Sequence, residues 1–163
     1  SCIRTCGGGL ALVPALTDFT FMESKKAKLF VNSPNALDGN HESKCDTASA
    51  KFQSEDAGLV DFTGSEDEIY AGIRELVSML PSNNEDDMSY EECTDDLSRA
   101  SETLENAVGD PAVICSEIGD DHVFVETKAA YAKEMATGFI RLNGMTVGVV
   151  GTYRELRRGW QCG

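Results

Sequence analysis

Three consecutive glycines, Gly7-Gly8-Gly9, stand directly before an apolar run in the stretch CGGGLALVPALTDFTFM, Cys6 to Met22. Residues without a Cβ let backbone N–H groups approach a ligand oxygen closely, and a helix starting just behind them adds the positive end of its dipole. The chemistry on offer is stabilisation of an enolate or another oxyanion. A tight turn, or close packing of the helix against a strand, asks for the same residues. The GxxxxGK[ST] pattern of a nucleotide-cradling loop is absent.

Other reactive residue types occur without the spacing that chemistry needs. No GxSxG marks a nucleophile elbow, and paired carboxylates are abundant because the chain is acidic throughout. The acids between Glu85 and Asp96 lack the alternating ligand spacing of a calcium loop. Six cysteines, Cys2, Cys6, Cys45, Cys93, Cys115 and Cys162, show neither CxxC nor Cys/His spacing. They read as reduced thiols, and no metal is expected in this chain. His41 and His122 lie in polar, turn-like surroundings and read as surface histidines.

The elements that must position the glycine loop have to come from 163 residues, about one domain's worth of chain. Hydrophobic residues make up 41% of them, and no apolar run approaches the roughly twenty residues that span a bilayer. No signal peptide is visible, and a cytoplasmic location is the expectation. Acidic residues outnumber basic ones 28 to 14, and the net charge of −14 argues against nucleic acid as a partner. The chain starts with Ser1 and the glycines follow within six residues, which reads as an N-terminal truncation with no room for an element ahead of the loop.

Behind the glycines, Leu10 to Leu16 reads as a short buried helix, with Pro14 in its first turn or at a kink. Phe19–Met22 and Lys28–Asn32 read as buried strands joined by the polar turn Glu23-Ser24-Lys25-Lys26, so the loop introduces an α/β unit. Asn32-Ser33-Pro34-Asn35 and Leu37-Asp38-Gly39-Asn40 are turn-rich and lead into a polar segment, as far as Phe52, whose structure the sequence leaves open. SEDEIYAGIRELVSMLP predicts a helix with a Ser65/Glu68 capping box, an Ile69, Ile73, Leu76, Val77 and Leu80 face, and Pro81 beyond its end. Residues 82–96 read as a solvated acidic linker. Thr94 predicts the cap of a helix carrying Leu97, Ala100, Leu104 and Val108, and Asp110-Pro111 that of another through Ile118. Val123–Val125 reads as a strand, and Asn143-Gly144 between two apolar runs predicts a hairpin over Gly138–Val150. The basic tail after residue 151 has no structural reading.

These residues also resemble a family. CGGGLALVPALTDFTFM is similar to the glycine motif of the β-type carboxyltransferase subunit of biotin-dependent acyl-CoA carboxylases and decarboxylases, the propionyl-CoA carboxylase and methylmalonyl-CoA decarboxylase family. There a Cys-Ala-Gly-Gly stretch precedes Pro-Ala-Leu-Thr-Asp-Phe. KLFVNSPNALDG, IRELVSMLPSNNED and FVETKAAYAKEMATGFIRLNGMTVGVVG follow in the expected order, so the resemblance covers most of residues 6–151. Gly7 departs from it, standing where the family usually has Ala.

The resemblance implies an α/β, crotonase-like fold of ββα units, present only in part. Residues 1–81 would be the C-terminal part of a first domain, 82–121 an acidic linker with connecting helices, 122–151 the start of a second domain, and 152–163 an atypical tail. It implies transfer of carboxylate between carboxybiotin and the α-carbon of a short acyl-CoA through a stabilised enolate, with Gly8 and Gly9 as backbone N–H donors. The implied partners are acyl-CoA, a biotin carboxyl carrier protein, biotin carboxylase or membrane decarboxylase subunits, and further copies of the parent chain. Much of the CoA site and the biotin-facing loop would lie elsewhere, so the piece alone is expected to be inactive. A non-catalytic acyl-CoA-binding or subunit-interaction module, or a truncated product without activity, are the alternatives.

Overall fold

The computed structural model describes residues 1–36, 38–86, 91–96, 98–101, 103–107 and 109–153. The chain divides into two compact units, one of Ser1–Ile73 with Lys128–Ala132, the other of Arg74–Thr127 with the residues from Lys133 onward.

The first unit is built on short parallel pairings. Strand β1 (Thr5–Gly7) leads into a 3-10 turn at Gly8–Ala11 and helix α1 (Leu12–Ala15). Strands β2 (Phe21–Glu23) and β3 (Lys28–Phe30) follow, then helix α2 (Ala50–Glu55) and strand β4 (Phe62–Gly64). β1 pairs with β3 and β2 with β4, both parallel, and an isolated bridge joins Cys2 to Met22. The glycine loop therefore does have an element in front of it. β2 and β3 are strands as expected, yet each finds a partner distant in sequence. The Phe21 and Phe62 rings stack across β2 and β4, 4.5 Å between centroids.

The core of this unit is Cys2, Ala11, Met22, Ala27, Leu29, Ala50 and Val60. Two buried carboxylates serve the backbone around it. Glu23 accepts from Lys25 N and Lys26 N, closing the turn out of β2. Asp61 accepts from Thr20 N at 2.7 Å and lies 3.4 Å from Lys128 Nζ. Lys128 belongs to a short excursion of the later chain, Lys128–Ala132, that begins and ends on left-handed residues (φ 55° and 48°). Lys128 N donates to Asp61 O, and Tyr131 lays its ring over Gly58.

Helix α3 (Glu66–Met79) starts on the expected capping box: Ser65 N donates to Glu68 Oε2 at 2.7 Å, and Glu68 N to Ser65 Oγ at 3.4 Å. Its buried residues are Ile69, Leu76 and Met79, whereas Val77, expected on that face, is exposed. Met79 takes its place because a three-residue step from Leu76 stays on the stripe.

In the second unit, helix α4 (Pro111–Ile118) is capped by Asp110, whose Oδ1 accepts from Ala112 N and Val113 N. Strands β5 (Phe124–Thr127), β6 (Met135–Leu142) and β7 (Met145–Thr152) form an antiparallel sheet in that order. The β6–β7 turn is the expected Asn143-Gly144, both left-handed (φ 52° and 79°). Buried Asp120 holds it, accepting from Asn143 N at 3.0 Å and Gly144 N at 2.7 Å. A Cβ on Gly138 in β6 would stand 2.2 Å from Val125 O, so only glycine lets β5 pair there.

Other expectations need correction. The helical segment after the glycines buries only Ala11; Leu10, Leu12, Val13 and Leu16 face outward. A short helix assembled half from 3-10 turn presents one narrow face to the core, too narrow for so many apolar residues. The polar segment ahead of Phe52, which the sequence left open, ends in the start of α2, whose cap, Ser49 Oγ, accepts from Phe52 N at 3.2 Å.

No helix runs from Thr94 among the described residues; Leu97 and Val108, expected on its face, lie outside them. Side chains there serve other bonds. Asp96 Oδ1 accepts from Ser98 N, Ser101 bonds Thr103 and Glu117, and Arg99 donates to Asp95 and Gly119 O. Local bonds of this kind compete with helical ones. Asp95, read as part of a solvated linker, is half-buried and also accepts from Asp121 N.

Candidate functional site

The glycine loop is where a strand becomes a helix within three residues. Gly7 ends β1 opposite Phe30, in extended backbone. Gly8 turns the chain with φ +63°, a conformation that side chains with a Cβ rarely adopt. Gly9 then sits in the first 3-10 turn. At a helix start the leading N–H groups have no acceptor within the helix, so the bend from Gly8 onward presents donors.

Apart from the chain immediately around them, no atom lies within 4 Å of where a Cβ would stand on Gly8 or Gly9, so their Cβ sides are open. Gly7 is different: a Cβ there would stand 2.9 Å from the Phe30 ring. Its glycine makes room for the Phe30 ring.

Behind the loop lies a groove of about 300 Å³, lined among others by Cys6, Leu10, Val13, Pro14 and Phe19. Its floor is fixed by two threonines. Thr17 Oγ1 donates to Pro14 O at 2.9 Å and Thr20 Oγ1 to the same oxygen at 3.0 Å. The same carbonyl also accepts from Thr17 N at 3.3 Å, so several donors converge on the last turn of α1. Asp61 in turn holds Thr20 through its amide. Thr17, Thr20 and Asp61 thus hold the C-terminal end of α1. Nothing in their spacing announced this; Asp61 is forty-one residues from Thr20.

Electrostatically the site is held by backbone. Burial pushes the Cys2 thiol up to about 11, with Cys6 as a further cause, so Cys2 is a neutral core thiol at neutral pH. His41 and His122 are both exposed, in line with their surface reading, and His122 stands beside the Arg99 guanidinium and Glu117 in the second unit.

Residues 2–162 match the carboxyl transferase domain. The chain belongs to the carboxyl transferase domain family. It is 30% identical over 165 aligned positions to the carboxyltransferase subunit of propionyl-CoA carboxylase from Haloferax mediterranei, covering 94% of this chain and 32% of that protein. To the alpha subunit of methylmalonyl-CoA decarboxylase from Veillonella parvula it is 29% identical over 166 positions, with the same coverage. The fold agrees with that of transcarboxylase 12S, whose crystal structure shows a hexamer assembly with hydrolysed methylmalonyl-coenzyme A bound: TM-score 0.83, 27% identity, 94% of this chain and 32% of that one.

This carboxyl transferase domain therefore carries part of a crotonase-like fold and spans about a third of the length of the relatives it matches. Within it, the glycine turn is formed by three residues that answer to different demands. Gly7 is required by packing, Gly8 by backbone angle, and Gly9 by neither.

Proposed function

We propose that this chain is a piece of an acyl-CoA carboxyltransferase and supplies one oxyanion-binding turn, with the backbone N–H groups of Gly8 and Gly9 as donors. The observation that carries it is the left-handed bend at Gly8, open on the Cβ side of both residues and leading straight into a helix start. An acyl-CoA that loses its α-proton becomes an enolate, and the charge appears on the thioester oxygen. Donors already aimed at that oxygen need no rearrangement as charge develops, which is worth about 3–4 kcal/mol per donor.

The ureido oxygen of biotin also gains negative charge as carboxylate leaves, and the loop that would face it lies outside this chain. Bound on its carrier, carboxybiotin would supply the carboxylate. Residues of this chain would hold and orient an oxygen, and the apolar groove behind the turn would keep water from it.

Two measurements test the reading. Titration with a short-chain acyl-CoA, followed by the amide resonances of the isotopically labelled chain, is expected to move Gly8 and Gly9 downfield as their N–H groups take up an acceptor. Saturation without movement at either residue removes the donor role. Purified by itself, the chain is expected to transfer no carboxylate between an acyl-CoA and free biotin; turnover would show that the reacting groups all lie within it. Binding together with absent turnover in complexes that restore the missing partners would favour the acyl-CoA-binding module instead.

A further inference from the structure

We propose that the second unit binds a small organic cation with an apolar body, of the alkylammonium class, in a cavity between the end of α4 and the tip of the β6–β7 hairpin.

The cavity, about 530 Å³, is lined by residues of that unit alone. Its wall is made of apolar side chains left over from the core. Leu142 and Met145 are the closing pair of the hairpin, so both project to the face that carries buried Ile140. Ile118 ends α4 beside them, and all three are exposed. Leu104 joins the wall from the segment ahead of α4. Apolar side chains gathered around a concavity of several hundred Å³ and edged by polar groups are the usual surroundings of a small ligand.

The polar groups decide the sign of its charge. Arg99, the cationic side chain of the lining, is already spent: Nε donates to Asp95 at 2.8 Å and Nη2 to Gly119 O at 2.7 Å. Asp120 is spent on the Asn143 and Gly144 amides. Glu117 keeps capacity. Its Oε2 accepts from Ser101 Oγ at 2.7 Å, while Oε1 lies 3.9 Å from His122 Nδ1, beyond hydrogen-bond range. The Ser101 hydroxyl, and after it that of Thr103, holds the carboxyl below the usual range, so it is charged at neutral pH. A carboxylate offers about four acceptor positions, which leaves room for a further N–H donor. Exposed Asp96 adds a second negative charge to the lining. A bound anion would face these carboxylates, and a neutral apolar molecule would take water from Glu117 without replacing its hydrogen bonds. An ammonium group on an alkyl tail meets both the charge and the wall.

The test titrates the full chain, isotopically labelled at its methyl groups, with hexylammonium, hexanol, hexanoate and methylammonium, read by NMR. Hexylammonium is expected to shift the methyls of Leu104, Ile118, Leu142 and Met145 to saturation, about tenfold more tightly than hexanol. Hexanoate has the wrong charge and methylammonium no tail, so neither is expected to saturate. Glu117→Gln keeps an acceptor for Ser101 and should bring hexylammonium down towards the affinity of hexanol, leaving hexanol unchanged. Hexanol or hexanoate binding as tightly as hexylammonium overturns the proposal. So does methylammonium producing the same shifts, which would leave only attraction to an acidic surface, and so does the absence of saturable movement at these methyls. A folded Glu117→Gln chain that binds hexylammonium like the wild type overturns it as well. The charge series is read on the wild-type chain and decides by itself should that variant not fold. None of these readouts involves carboxyltransferase activity.

Discussion

A Cβ placed on Gly7, Gly8 or Gly9 meets three different surroundings, so Ala substitutions there are expected to diverge. Gly8→Ala forces a left-handed backbone and should lower stability by about 1–2 kcal/mol. Gly9→Ala meets open space in a helical turn and should be neutral or stabilising by up to about 1 kcal/mol. Gly7→Ala presses on Phe30; its loss should shrink when combined with Phe30→Leu, a coupling that urea denaturation of the single and double variants would read. Glu23 gives a pH-dependent counterpart. The Lys26 N–H foremost, with that of Lys25, holds its carboxyl below the usual range. A depressed folded-state pKa stabilises fully above the unfolded value and is lost as pH falls through the folded one. Glu23→Gln should therefore flatten the fall in melting temperature below about pH 4.3, the ordinary glutamate value.

At the scale of elements, single caps carry measurable weight. Ser65→Ala removes an acceptor from the start of α3 and is expected to lower stability by about 1 kcal/mol. Asp120→Ala leaves two turn amides without their carboxylate, a loss on the order of 3 kcal/mol, with faster amide exchange at Asn143 and Gly144 as its local signature. The elements that sequence foretold are those whose signals are local. Ser65 with Glu68, and Asp110 with Ala112 and Val113, bond within a few residues, and Asn143-Gly144 joins strands that pair directly across it, Leu142 opposite Met145; each element stands where expected. The three-residue strands β1 and β4 have partners twenty or more residues away, so nothing nearby announces them. At the candidate site the glycines themselves were legible. Thr17, Thr20 and Asp61, which fix the end of the helix behind them, were not, because their bonds appear only once the chain is folded. Apolar composition misled at Leu12, Val13 and Leu16, since it reports what could be buried and not which face the core reaches.

Those outward residues govern the expected behaviour of the molecule as a whole. Leu10, Leu12, Val13 and Leu16 make an apolar surface on a chain with a net charge of −14. Apolar contact favours association and like charge opposes it. Added salt screens the repulsion, so the weight-average mass by sedimentation should rise with protein concentration and with ionic strength. The pair Leu12→Ser and Leu16→Ser is expected to return it towards the monomer, and a mass indifferent to both variables would show that this surface does not self-associate.

The excursion Lys128–Ala132 also constrains the order in which the chain can acquire structure. Asp61 is placed early in the sequence, but the backbone and ammonium groups that meet its carbonyl and carboxylate arrive only with Lys128, and the ring that covers Gly58 only with Tyr131. During synthesis from the N-terminus the first unit must wait, partly formed, until Ala132 has cleared the ribosome. A chain stalled before Lys128 should be cut by protease around Gly58 and Asp61, and one stalled well after Ala132 should resist.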